Sequence, residues 1–342
     1  MKKLALILTS IVLTATTAGC ALGATAGSVF GGSYFLRSEE VASVGNIDET
    51  TEYNVTFTPN ANCPVAFSLN SGKYTMHAYT SSTESGVRCY RLDTELKING
   101  SYTIGEAVTP VDDSIVTTAL FYDVDKALKP ISSSRTVKSH SVGYSEGKFT
   151  INYYDYEVST AYDESANEAV VTFAPNLETS TGKYSLEAGT TTYSKVFEKT
   201  YLDNETILFA IRAFKLTQDF STTFTSIDAT AKVKRTLSLV SRTVTDEAGN
   251  AVSATYETLH LEYVNTGEKI TGADSYKLSL SVSGTYTGSE IILYYARSDI
   301  KKNGQCLVKM QTKLQLDIGA VVQENQSSAG TFTYELINVN AR

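Results

Sequence analysis

The chain has no Trp, only five Pro and only three His among its 342 residues. Scarce Pro excludes a Pro-rich stalk, and 22 Gly without a triplet period exclude a collagen-like chain. His77, His140 and His260 stand at no metal-ligand spacing, so neither a metal nor a cofactor is expected. Beyond the N-terminus no run of about 18 apolar residues occurs, which argues against a spanning helix. Basic clusters are missing as well: 29 Lys and Arg face 37 Asp and Glu, for a net charge of −8. A protein that displaces counterions from phosphates concentrates the opposite charge, so no nucleic-acid partner is expected.

Apolar material is plentiful. Hydrophobic residues make up 42% of the chain, with 22 Tyr and 13 Phe, enough for one large core or two ordinary ones.

The first residues read as a bacterial export signal: Lys2-Lys3, an apolar stretch from Leu4 to Leu13, then small residues up to Gly19. Two cleavage sites compete. Thr17-Ala18-Gly19-Cys20 resembles a lipobox with Thr in place of the usual Leu, whereas Ala24-Thr25-Ala26 offers an ordinary A-x-A site. The lipobox is favoured. It makes residues 1–19 a signal peptide and Cys20 the acylated first residue of a lipoprotein on a membrane surface, with residues 20–50 as a lipidated tether. Loss of Lys2 and Lys3 then leaves 27 bases and a net charge of −10. An exported address permits disulfides, and Cys63 with Cys89 is the expected pair, leaving Cys306 as an unpaired thiol.

Period-two alternation dominates the rest. Val308, Met310, Leu314, Leu316 and Ile318 alternate with Lys309, Gln311, Lys313, Gln315 and Asp317; Tyr276, Leu278, Leu280 and Val282 alternate with Lys277, Ser279, Ser281 and Ser283. Such two-faced strands belong to antiparallel sheets. Asn99-Gly100 reads as a type I′ hairpin turn, and further turns are expected at Glu146-Gly147, Ala248-Gly249-Asn250 and Thr266-Gly267. From Phe149 to Val158 the alternation slips by one residue, which suggests a bulge. One short helix is expected: Asp203 or Asn204 caps it, Glu205 sits in its first turn, and Ile207, Leu208, Ile211 and Phe214 form a stripe. Asp112–Leu128 is a weaker helical candidate.

An internal echo divides the chain. Thr56-Phe57-Thr58-Pro59-Asn60, followed by Gly72-Lys73-Tyr74, returns as Thr172-Phe173-Ala174-Pro175-Asn176 followed by Gly182-Lys183-Tyr184. Two related β units, 51–165 and 166–342, possibly continuous with one another, are the expected organisation.

The order Leu120-Phe121-Tyr122-Asp123, Leu128-Lys129-Pro130, Ser134-Arg135-Thr136 and Tyr153-Tyr154-Asp155-Tyr156, then Leu208, Phe209, Ile211 and Arg212, resembles a family of uncharacterised exported bacterial β proteins. The resemblance spans roughly residues 115–315. That family is similar in architecture to the LolA and LolB lipoprotein carriers. The resemblance implies curved antiparallel sheets, a barrel or half barrel, closing over a helix and holding acyl chains in the hollow, with no catalytic motif to transfer.

A search for chemistry returns little. No G-x-S-x-G elbow, phosphate loop or calcium loop occurs. S-x-x-K strings begin at Ser145, Ser180 and Ser298, the first two with a Gly just before the Lys in evident turns. Carboxylates at Asp112-Asp113, Asp123 and Asp125, and Asp155 and Glu157 would have to face one another across a sugar to act as a glycosidase pair. Tyr153, Tyr154, Tyr156, Tyr294 and Tyr295 read as core-rim residues, with a pocket wall as the functional alternative. The sequence therefore predicts a mainly β, barrel-like envelope lipoprotein with no catalytic residues. It binds a hydrophobic ligand such as a lipid or acyl chain, or else serves as a structural or adhesive surface protein for a protein or glycan partner.

Overall fold

The computed structural model describes residues 47–122, 128–145, 147–182, 184, 187–197, 201–214, 216–217, 219–229, 233–245, 247–252, 254–256, 261–263, 269–270, 273–282, 290–297, 306–316 and 328–341. Cys20, the signal, the tether up to residue 46, Asp123, Asp125, His260, Thr266-Gly267 and Ser298 lie outside the described residues.

Long strands come first: β1 (Asp48–Pro59), β2 (Val65–Ser82), β3 (Arg88–Ile104), β4 (Ala107–Phe121), β5 (Pro130–Ser145), β6 (Lys148–Asp163), β7 (Glu168–Pro175) and β8 (Gly189–Ser194). The predicted tether thus ends early, because Asp48–Thr50 already belongs to a strand. After a helical segment come β9 (Ser221–Asp228), β10 (Val233–Ser241), β11 (Val244–Thr245), β12 (Ala251–Val252), β13 (Ala254–Tyr256), β14 (Leu261–Tyr263) and β15 (Lys269–Ile270). The last four are β16 (Ala273–Val282), β17 (Ile291–Ala296), β18 (Leu307–Gln315) and β19 (Ser328–Ala341). All but the small β11–β12 hairpin join one sheet, which is mainly β in the antiparallel sense expected.

The sheet runs as a meander from β1 to β8, and β1 also pairs with β19, which leads through β18, β17, β16 and β10 to β9. Register shifts at Glu52/Tyr53, Leu69/Ser71, Leu120/Phe121 and Leu314/Gln315 add twist to strands already long enough to coil. The curved sheet is barrel-like but unclosed. The ladder from β6 to β7 crosses the 165/166 boundary without interruption, with Asp163 opposite Glu168.

Alternation puts one face of each strand inside. Tyr53 and Val55, Leu92 and Leu96, Leu278 and Leu280, Met310, Tyr334 and Leu336 are buried in one large core. The helical segment fills that core: a 3-10 turn (Asn204–Thr206), one α turn, α1 (Ile207–Ala210), and a second 3-10 turn (Ile211–Ala213). Asp203 caps it as expected, accepting the Glu205 N–H, but every residue from Ile207 to Phe214 is buried rather than one stripe. A helix buried all round belongs in an interior, and the one charge in that run, Arg212, is paired with Glu49 of β1. Tyr295 donates its hydroxyl to the Leu208 carbonyl at 2.6 Å, which satisfies an orphan acceptor of the short helix.

A second, smaller core lies between β5, β6, β7 and the Tyr201 segment, with Val137, Tyr154, Tyr156, Val158, Val171 and Phe173 buried in it.

Four expectations are corrected. Asn99-Gly100 makes no turn, because β3 runs straight through it, with Gly100 paired to Leu69 on one side and Val111 on the other. A Cβ on Gly100 would stand 2.4 Å from the Ser68 carbonyl oxygen and 2.8 Å from the Phe67 ring, so the missing side chain makes room for an aromatic. Cys63 and Cys89 form no disulfide. Cys63 precedes Val65 at one end of β2, and Cys89 pairs with Ser81 at the other. At about 3.3 Å per residue the length of β2 separates them by tens of ångströms, against the roughly 4.4–6.8 Å between Cα atoms that a disulfide needs. Asp112–Phe121 is strand rather than helix.

The slip in β6 is not a bulge, since the β5–β6 ladder keeps one register from end to end. Instead the ribbon buries opposite faces at its two ends. Val142 opposite Ile151 and Tyr144 opposite Phe149 join the large core, and Val137 opposite Tyr156 joins the small one.

The echo holds locally. Both Pro-Asn corners form the same Asx turn, with Asn60 Oδ1 accepting from the Asn62 N–H and Asn176 Oδ1 from the Glu178 N–H. Beyond the corner the copies diverge: Gly72–Tyr74 lies within β2, whereas Gly182 and Tyr184 belong to no strand and pack against Tyr154.

Candidate functional site

Strands β4 and β5 carry the site on their inward positions. Their register sets Ile115 opposite Val137, Thr117 opposite Arg135 and Ala119 opposite Ser133. Alternate residues share a face, so Ser133, Arg135, Val137 and Ser139 form one row, and all four are buried.

The N-terminus of the helical segment meets this row. Asp203 Oδ1 accepts the Glu205 N–H at 2.8 Å, while its Oδ2 accepts the hydroxyls of Ser133 at 2.7 Å and Tyr162 at 2.5 Å. Tyr162 and Tyr201 hydroxyls lie 2.7 Å apart. Burial, followed by the nearby charge of Glu205, pushes the Asp203 pKa up to about 6 in spite of the donated hydroxyls. Arg135 closes a 2.6 Å ion pair with Glu205. Burial opposes its charge, yet the Glu205 carboxylate carries the guanidinium pKa upward.

Two hollows follow the row. The outer one, of about 90 Å³, is walled by Phe67, Leu96, Ile98, Tyr102 and Ile115 of one arm of the sheet and by Leu314, Phe332 and Tyr334 of the other, with Asp113, Ser139, His140, Thr312 and Lys313 as polar members. The inner one, of about 40 Å³, reaches Tyr74, Thr117, Arg135, Glu205 and Leu208. Leu96 and Ile115 line both and partition them. Together the hollows form an apolar slot with a polar side chain at each end.

The outer end holds Ser139, His140 and Asp113, which together are not a catalytic triad. Ser139 and His140 are neighbours on a strand and so point to opposite faces. His140 gives Nδ1 to Asp113 Oδ1 at 2.6 Å and its backbone N–H to Oδ2 at 3.1 Å, and the Ser139 hydroxyl has no hydrogen-bond partner among the described residues. A serine without a base is not an activated nucleophile.

The other sequence candidates are placed as follows. Asp155 accepts from Asn176 Nδ2 at 3.1 Å and Thr179 Oγ1 at 2.9 Å, holding the second Asx turn, and Glu157 is exposed two residues on. Ser180 Oγ donates to the Asn176 carbonyl at 2.7 Å. His77 stacks on Tyr79 with centroids 4.5 Å apart and bonds Asp48 at 2.8 Å. Tyr154, Tyr156 and Tyr295 are buried core residues, while Tyr153 and Tyr294 are half-buried. Among the described residues no group of three potential metal ligands occurs, and no helix is long and apolar enough to cross a membrane.

Sequence reading missed Ser139, the Arg135–Glu205 pair and the Asp203 cluster. A signal was present: Ser133, Arg135, Ser139 and Ser141 share the phase of Val137, so polar residues occupy inward positions of β5.

No protein-family model matches the chain, and no curated protein matches its sequence. Among solved structures it is similar to a β-barrel-like protein, a domain of unknown function DUF1849, from Brucella abortus. The two share 9% identity, and the match covers 86% of this chain and 98% of that one with a TM-score of 0.42.

Proposed function

We propose that this chain is a non-catalytic binding protein of the bacterial envelope, tethered through Cys20, that takes an aliphatic segment of its ligand into the slot between β3, β4 and β5 and the facing strands β18 and β19. The observation that carries this reading is the pair of adjoining hollows, which share Leu96 and Ile115 in their walls. Burial of methylenes there supplies about 0.8 kcal/mol each without any charged contact.

The small slot limits what fits. At about 90 Å³ the outer hollow has room for roughly three waters and is smaller than a cavity that admits benzene. A long acyl chain enters only when Leu96 and Ile115 turn aside and join the hollows. The filled interior supports the rival reading, a structural or adhesive surface body with no internal ligand.

A series of 1-alkanols from butanol to dodecanol, titrated into the full chain, separates the two. Affinity is expected to rise with each methylene and then level off at the length the slot holds. A plateau beyond about four carbons means that the partition opens. No binding at any length leaves the surface-body reading standing alone.

A further inference from the structure

We infer that the slot's ligand is an uncharged amphiphile, an aliphatic segment bearing a hydroxyl, ester or amide group, and that the Ser139 hydroxyl is its polar anchor. The inference rests on the slot being a binding site. Ser139 is 3% exposed, lines the outer hollow, and its Oγ has no hydrogen-bond partner among the described residues.

An unpaired buried hydroxyl is costly, and a ligand that restores its bond recovers that cost on binding. Of the hydroxyls lining this hollow, that of Tyr334 shares the deficit and is a second group a ligand can bond; those further along the row do not. Ser133, on the same row, donates to Asp203 at 2.7 Å, and Thr117 lies 2.7 Å from Thr94 across the ladder.

Charge decides the ligand class. Asp113 lines the same hollow as Ser139 together with His140, its partner, and Lys313, which is exposed, so an anionic head group there meets a half-buried carboxylate and only a solvated ammonium. A cationic head gains little, because both Asp113 oxygens are engaged by His140. At the inner end Arg135 is likewise paired with Glu205. A neutral group that can both donate to and accept from a serine is what remains. Hydroxyl and N–H amide groups meet that description and an ester meets its accepting half, with a free alcohol the simplest probe.

The test compares 1-octanol, 1-chlorooctane and octanoate on the full chain and on its Ser139→Ala variant, with thermal unfolding as a check on folding. The two neutral probes share a chain, but only the alcohol bonds well to a serine. Ser139→Ala is expected to weaken octanol about five- to tenfold while leaving chlorooctane unchanged. Octanoate is expected to bind more weakly than octanol.

If both neutral probes bind and the variant treats octanol as the wild type does, the anchor is refuted while the slot stands. If both weaken together, the effect is structural and the anchor is again refuted. Octanoate binding more tightly than octanol overturns the neutral class. If the wild type binds none of the three, the slot reading itself is lost.

Discussion

The two cores of this sheet are built from the same alternating strands but solve the problem of an interior differently. In the large core Leu, Ile, Phe and Tyr side chains from β1–β4 and β16–β19 surround a helical turn that is apolar on every side, and its phenols bond backbone carbonyls. The small core is walled by phenols, with Tyr154, Tyr156, Tyr162, Tyr184, Tyr193 and Tyr201 in or against it. Each buried phenol needs a partner: in the large core Tyr53 donates to the Leu307 carbonyl and Tyr295 to the Leu208 carbonyl, whereas in the small one the phenols of Tyr162 and Tyr201 meet each other and that of Tyr162 donates to Asp203. Tyr193, whose hydroxyl has no partner among the described residues, has its pKa pushed up to about 12, by burial first and then by the charge of Asp228. Ile115 packs against both cores, and the slot begins there. Where two kinds of packing meet, neither fills the space completely.

Three substitutions break or sharpen this comparison. The largest effect is expected from the charge inside the large core. Arg212 reaches back from the helical segment to Glu49 of β1, with Nη1–Oε1 at 2.5 Å and Nη2–Oε2 at 3.0 Å, and both residues are buried. Glu49→Ala leaves that guanidinium without its carboxylate and is expected to cost about 3–5 kcal/mol in urea unfolding. A loss below about 1 kcal/mol shows that the pair does not hold the helix to the sheet.

The next effect is a pH dependence at the junction of the cores. The folded-state Asp203 carboxyl keeps its proton to about pH 6, against 3.8 for the ordinary group. The folded protein therefore binds more protons than the unfolded chain between those values, and Asp203's contribution to stability is lost as pH rises through that window. Asp203→Asn imitates the protonated form and still caps a helix. Its stability relative to wild type is expected to improve by on the order of 2–3 kcal/mol between pH 4 and pH 7. A constant difference across that range contradicts the raised pKa.

The smallest effect is in the small core alone. Tyr184 donates its hydroxyl to the Asp155 carbonyl at 2.7 Å and lies 2.5 Å from Ser180 Oγ. Tyr184→Phe is expected to cost about 1 kcal/mol. Its signature is faster amide exchange in the turn around Asn176–Gly182, with exchange in β1 and β19 unchanged. Equal acceleration in all of these strands means that the cores open as one unit.

Much of the architecture is legible in the sequence because alternation reports directly on which face is dry. Leu278 and Leu280 and the pair Val308 and Met310 lie buried on their strands as their spacing foretells, and the acid at Asp203 marks the helix start. What misleads is local chemistry overruled from a distance. Asn99-Gly100 has the composition of a turn, but Phe67 needs the space that Gly100 leaves, and β2 and β4 flank it. Cys63 and Cys89 are close in sequence and far apart in space, because one strand lies stretched between them. The candidate site was hidden for a related reason. Arg135 and Glu205 are 70 positions apart, and the run of serines around Arg135 looks like a wetted face until the helical segment is seen to cover it.

The β1–β19 ladder, which pairs Glu49 with Ala341 and Pro59 with Gly330, dictates an order of assembly. Its two halves come from opposite ends of the described chain, so this seam has the longest loop to close and zips last. Until then β1 presents a bare edge, open to pairing with any other strand it meets. A folding chain has to guard that edge until its last strand arrives.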